Sequence, residues 1–325
     1  KADKEKIYGH ICKIFPDFNG ADFRTNGHVT LDGTILQDLT VYNILDTRLL
    51  LLKRLYNKNL IAWAAQKRME EIVIKIITNA VDLTGIKNVT FGGGIFLNMI
   101  MNMKIQQKFG DKLNLFFNPI CNDLGNAVGV ALEQNYQETG KNPIPSHMSL
   151  YLGNSYSDEE VATDAKKFNF KINKVNKVDT AIDLIERGKV VGWFQGRSEF
   201  GARGLGNRSI LALPTEQKYK DIVNKKVKKR EPWRPFCPTI IAEKSNEFLK
   251  NSSYAPYMIL GFEMKNPELY PAVIHVDGTC RPQILKKDDN PDFHQVVKGL
   301  DGIILNTSFN LAGDPIVETP YDAFM

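Results

Sequence analysis

The feature that most constrains the fold is a short apolar strand that runs into three consecutive glycines and then into a helix-forming segment. Asn88-Val89-Thr90-Phe91 is followed by Gly92-Gly93-Gly94, and residues 95–108 read as helical. Strand, glycine turn and helix in this order build an α/β layer, because glycine permits the tight reversal that packs a helix back onto its strand. The pattern extends both ways. Met69, Ile72, Val73, Ile76, Ile77 and Ala80 recur at three and four positions within residues 61–84 and predict one face of a long helix, which Gly85 can stop. Residues 115–117 read as a second strand, with a helix from near Gly125. After a polar, proline-punctuated stretch at 138–145, helices are predicted at 158–168 and 179–187 and a buried strand at 189–194. The chain therefore divides into domains 1–147 and 148–325.

Composition narrows the function classes. The 325 residues contain no apolar run approaching the roughly 18–20 residues of a spanning helix, so a cytoplasmic protein without a membrane partner is expected. Cys12, Cys121, Cys237 and Cys280 form no Cys-x-x-Cys pair, which argues against a disulfide framework or zinc ribbon and leaves buried free thiols. A net charge of +5 permits phosphate-bearing substrates and is equally explained by surface lysines. The chain opens at Lys1 without an initiator methionine and ends at Met325 directly after a motif, so further residues are expected beyond it.

Several segments can carry chemistry. Gly92–Gly94 lets backbone N–H groups approach a phosphate or nucleotide at a helix N-terminus, and is also an ordinary tight turn. In Asn118-Pro119-Ile120-Cys121-Asn122-Asp123-Leu124-Gly125 the Asp123 carboxylate can cap the following helix or ligate a metal. Residues 196–209 place Arg197, Arg203 and Arg208 among glycines beside Glu199. Guanidinium forks suit phosphate oxygens there, against the alternative of a solvated surface turn. Lys228, Arg230 and Arg234 flank a proline-stiffened segment expected to be anchored by Trp233, Pro235 and Phe236, while Lys225, Lys226 and Lys229 read as exposed. Asp277 to Gln283, and Asn306-Thr307-Ser308-Phe309-Asn310 after an apolar strand, are donor- and acceptor-rich turns that meet a ligand or stabilise themselves.

Together these motifs resemble the NodU/CmcH carbamoyltransferases. Residues 92–98, Asn102, Pro119 and 122–132 are similar to their N-terminal domain, of the actin-like ATPase (ASKHA) superfamily. The elements at 196–209, 228–236, 277–283 and 306–317 are similar to their YrdC-like C-terminal domain, a twisted α/β fold. Ala202 and Gly204 stand where that family more often has proline and alanine. The resemblance implies that carbamoyl phosphate and ATP, with Mg, are joined into carbamoyl-adenylate, and that the carbamoyl group then passes to an acceptor hydroxyl. That hydroxyl belongs to a small molecule, a sugar or a hydroxymethylated nucleotide or DNA base; a homodimer is compatible with this. It implies that Lys228, Arg230 and Arg203 bind phosphate groups as catalytic residues. Gly92, Gly93, Asn98, Arg197, Arg208, Arg234, Asp277, Arg281, Thr307, Ser308 and Asn310 would contact substrate or nucleotide, and Asp123 a divalent metal, usually iron. The family's closely spaced histidine ligands and its opening glycine-rich phosphate hairpin have no counterpart here, so the actin-like domain is expected to be N-terminally incomplete. The competing readings are a YrdC-like enzyme making threonylcarbamoyl-adenylate and a nucleotide- or RNA-binding protein, which would need an extended basic face with interleaved aromatics.

Overall fold

The computed structural model describes residues 2–14, 51–141 and 149–325. The expected division between 147 and 148 lies outside them, as do His28 and His147. The chain forms two compact units, one of residues 1–90 and 104–116 and the other of residues 91–103 and 117–325.

In the first unit α1 (Ala2–Ile14) and α2 (Lys58–Thr84) bury Ile7, Ile11, Leu52 and Ala64 together, ringed by Tyr8, Tyr56, Leu60, Ile61 and Trp63. The Asn57 side chain accepts from the Asn59 N–H at the start of α2, and Gly85 ends it with φ 68°, a left-handed conformation that favours glycine. Of the predicted apolar face, Val73 and Ile77 are buried and Ala80 is exposed. Strands β1 (Asn88–Phe91) and β2 (Asn114–Phe117) pair as a two-stranded sheet. The helix predicted at 95–108 is interrupted. A 3-10 turn at Gly94–Leu97 precedes α3 (Met99–Phe109), because Asn98 leaves the helical path and its Oδ1 accepts the Met101 N–H at 3.1 Å.

The second unit is organised on a five-stranded mixed sheet. Helices α4 (Leu124–Thr139), α5 (Asp158–Lys167) and α6 (Lys177–Glu186) precede β3 (Val191–Phe194), β4 (Arg208–Ala212), α7 (Gln217–Ile222) and β5 (Cys237–Ile241). Short elements α8 (Ser245–Phe248), β6 (Phe262–Glu263) and β7 (Thr279–Cys280) follow, then β8 (Gln283–Leu285), α9 (Pro291–Gly299), β9 (Ile303–Ser308) and α10 (Pro320–Phe324). The order is β3-β4-β9-β5-β8, antiparallel except for β5 with β8. Both faces are covered. Leu211 and Ile304 join one core with Trp193, Phe293, Val296 and Val297, while their neighbours Ala212 and Leu305 join another with Tyr219, Val223 and Phe236. Double coverage explains why every residue of β4 and β5 is buried, where a half-exposed strand would alternate.

Candidate active site

The loop from β3 to β4 is shaped by Glu199. Its Oε1 accepts three backbone N–H groups, from Leu205 at 2.6 Å, Asn207 at 2.8 Å and Arg208 at 3.2 Å, and so curls residues 205–208 around one carboxylate oxygen. Burial raises the Glu199 pKa while these N–H groups oppose the rise. Gly206 sits at φ 108°, and a Cβ there would lie 2.1 Å from the Phe293 ring. At Gly204 a Cβ would approach Arg208 O to 2.8 Å and Ser308 Cα to 2.9 Å, so glycine draws this loop onto the end of β9.

The three arginines of the loop have different occupations. Arg208 is fully buried, lies 3.6 Å from the Phe194 ring centroid, and donates through Nη1 to the carbonyls of Gln195, Gly196 and Asn207 and through Nη2 to that of Asn154. Arg197 donates to the carbonyls of Gly153 and Leu152, both at 2.8 Å. These two knit backbone together. Arg203 keeps a buried Nε without an acceptor, as Arg208 also does, and burial, with repulsion from Arg281, lowers its pKa to about 10.

Lys228 follows a π-helical turn at Val223–Val227, a wider turn that often marks functional sites. Its buried Nζ reaches Ser308 O at 2.6 Å, Ser308 Oγ at 3.2 Å, Asn310 O at 3.1 Å and Asn310 Oδ1 at 2.5 Å. Burial, then the Arg230 charge, brings its pKa down to about 8. Arg230 stacks 4.6 Å from the Phe236 ring centroid, donating through Nε to Asn224 Oδ1 at 2.7 Å and through Nη2 to Pro235 O at 3.4 Å. Buried Asn224 holds this loop by donating to Arg234 O at 3.0 Å. Trp233 corrects the sequence expectation: it is 69% exposed and anchors nothing, whereas Phe236 is buried. Exposed Arg234 pairs with Glu231 at 3.4 Å.

Arg281 directs Nε and Nη2 at the buried Cys237 sulfur, at 3.2 and 3.1 Å. Asp277 makes a self-contained turn, accepting from Thr279 N–H and Oγ1. Thr307 is half-buried on β9, where it is paired with Ile210. Ser308 and Asn310 line an open cleft of about 440 Å³ whose other walls are residues 198–199, 201–202 and 314–318. That size suits a nucleotide or smaller phosphorylated molecule. The structure thus brings Ser308 and Asn310 to one cleft, joins the buried Lys228 ammonium to both, and relates Arg203 and Arg230 to Arg281 by charge. Glu199, which the motifs marked only as a neighbour of arginines, lines the cleft, and Cys237 and Cys121 lie near Arg203.

Gly92 and Gly93 are exposed, with φ 101° at Gly93 and open space where each Cβ would lie. Asn98 caps α3, and buried Asn102 donates to Phe96 O at 2.7 Å and Ile259 O at 2.8 Å. Ile120, three residues before Asp123, packs with Leu150, Leu205, Cys237 and Met258. Asp123 itself is exposed and forms no side-chain cap, so the capping alternative is not realised. Among the described residues no three His, Cys, Asp or Glu side chains gather into a metal-binding group, and an exposed single carboxylate does not constitute an iron site.

Family models decide the assignment: one for the carbamoyltransferase N-terminus matches residues 3–132 and one for the carbamoyltransferase C-terminus matches residues 182–325. The chain belongs to the carbamoyltransferase family. It is 32% identical over 237 residues to 3'-hydroxymethylcephem-O-carbamoyltransferase of Streptomyces clavuligerus, covering 71% of this chain and 44% of that carbamoyltransferase. The nodulation protein NolNO of Sinorhizobium fredii is 35% identical over 272 residues, 79% of this chain and 40% of its own length. An uncharacterized protein of Methanocaldococcus jannaschii is 37% identical over 270 residues, 80% of this chain and 51% of its own. The chain spans about half the length of the curated relatives it matches. No helix among the described residues is long and apolar enough to cross a membrane.

Proposed function

We propose that this carbamoyltransferase chain works in ATP-dependent O-carbamoyl transfer in the cytoplasm, with its second unit as the YrdC-like adenylating part and the Gly92–Asp123 region as part of the actin-like transfer domain. Water releases inorganic phosphate from carbamoyl phosphate, and the freed carbamate oxygen attacks the α-phosphorus of ATP. The α–β bond breaks, pyrophosphate leaves and carbamoyl-adenylate forms. The acceptor hydroxyl then attacks the carbamoyl carbon, losing its proton to a base and expelling AMP. The relative from Streptomyces clavuligerus, by its name, acts on a hydroxymethyl group, which supports a hydroxyl acceptor here.

The observation that carries this reading is the buried Lys228 ammonium held by Ser308 and Asn310, two residues that line the cleft. Phosphate oxygens offered to a fixed, dry cation are stabilised far more than in water, since the charge needs no reorganisation during the reaction. Arg230 and Arg203 would contribute further positive charge, and Arg281, steered by Cys237, would hold a second phosphate. Asp123 would offer one oxygen to the divalent metal implied by the resemblance. Carbamoyl-phosphate-dependent exchange of labelled pyrophosphate into ATP tests the adenylation step. The spent nucleotide should be AMP; accumulation of ADP without AMP would rule the mechanism out.

A further inference from the structure

The motifs assign no role to Glu199, and its hydrogen bonding is lopsided. Three backbone donors converge on Oε1, which fixes the plane of the carboxylate, while Oε2 is buried with no hydrogen-bond partner. A buried carboxylate oxygen without a donor is costly, and only a donor group relieves that cost. Glu199 forms the cleft wall together with Ser308 and Asn310, the residues that hold the Lys228 ammonium. Another carboxylate lining the cleft is engaged otherwise, since Glu318 Oε1 accepts the Asn154 N–H at 3.1 Å. The cleft therefore sets a carboxylate acceptor that is rigidly held and half satisfied on the same lining as Ser308 and Asn310, which hold the buried Lys228 ammonium.

We propose that Glu199 recognises the amino group of the carbamoyl moiety, Oε2 accepting a hydrogen bond from its –NH2, so that the site selects carbamoyl over acyl phosphates. This rests on the carbamoyl phosphate reading above. Phosphate oxygens are acceptors and are repelled by a carboxylate, so the group facing Glu199 has to be a donor. In carbamoyl phosphate the N–C–O–P connectivity sets that donor beside the phosphate, matching an acceptor that shares its cleft with Ser308 and Asn310, the residues that hold the buried ammonium. The adenine amino group is separated from its phosphates by the ribose and does not offer this pairing. Acetyl phosphate, with methyl in place of –NH2, leaves the acceptor unsatisfied and should be discriminated against.

The test is calorimetric titration of wild type and Glu199→Gln with carbamoyl phosphate, acetyl phosphate, inorganic phosphate and a non-hydrolysable ATP analogue. Glutamine keeps an oxygen for the three backbone donors and presents –NH2 where Oε2 stood. Wild type should prefer carbamoyl over acetyl phosphate by about tenfold or more, and the variant should lose that preference while retaining its phosphate and nucleotide affinity. A wild type that binds no carbamoyl phosphate defeats the functional reading itself. A wild type without the preference, a variant that keeps it, or a variant impaired only toward the ATP analogue defeats the Glu199 assignment. Should the variant not fold, the wild-type affinity ratio decides across about pH 8 to about pH 4. Protonating Glu199, whose pKa is raised, should erase the preference as pH falls, and the shared phosphate titration cancels in the ratio. Tyr151 and Arg208 also face Glu199 and keep their charge states across this range; Asp314 and Glu318, across the cleft, act on both ligands alike. A ratio independent of pH overturns the assignment.

Discussion

Lys228 ties two opposite pH dependences to one side chain. Its folded pKa of about 8 lies below the ordinary lysine value of 10.5, so between these limits the unfolded chain holds the extra proton. Stability contributed by this group therefore rises with pH from about 8 to about 10.5. Anion binding needs the ammonium and falls through the same window, so thermal melting and phosphate affinity measured from pH 7 to 10 should move in opposite senses. Arg230 also differs from a plain phosphate ligand, because its Nε bond to Asn224 and its stacking on Phe236 make it part of the loop. Arg230→Lys should lower stability by about 1–2 kcal/mol, and adenylation by roughly thirty- to a thousand-fold. Exposed Lys226→Ala is the control, expected within about 0.5 kcal/mol of wild type. Wild-type exchange rates in Arg230→Lys would remove it from the substrate site.

At the scale of elements, the decisive constraints are close approaches between a loop and its neighbours. The loop from β3 to β4 depends on Gly206, where an added methyl would meet both a left-handed backbone and the Phe293 ring. Gly206→Ala should cost about 2–4 kcal/mol in denaturant unfolding and displace the N–H groups that grip Glu199. Little change in the midpoint would mean that Phe293 moves aside freely. Residues 95–108 show the limit of periodicity: their composition favours helix throughout, yet one hydrogen bond from the Asn98 side chain competes locally and starts α3 late. The readily predicted helices α5 and α6 carry their own caps, Ser157 with Glu160, and Asn176.

For the whole molecule, the proposed adenylation and transfer steps, measured separately, provide the separation that sequence similarity cannot. Exposed Asp123 makes no cap, so Asp123→Ala should change stability by no more than about 0.5 kcal/mol, block transfer to the acceptor and leave pyrophosphate exchange nearly intact. Equal loss of both half-reactions, with normal melting, would place Asp123 in adenylation instead. By itself the sequence determined the α/β class, the long capped helix, the strands at 88–91, 114–117, 191–194 and 303–308, and the carbamoyltransferase motifs, because these follow from local periodicity, capping and residue type. It marked Arg197, Arg203 and Arg208 alike, since a guanidinium reads the same wherever it is written. Only the tertiary structure decided that Arg197 and Arg208 bind backbone carbonyls while burial lowers the Arg203 pKa to about 10, that Trp233 lies outside and Phe236 inside, and that Cys237 orients Arg281. Those outcomes depend on which acceptors distant segments bring within about 3 Å, a relation between residues far apart in the chain that no single segment encodes.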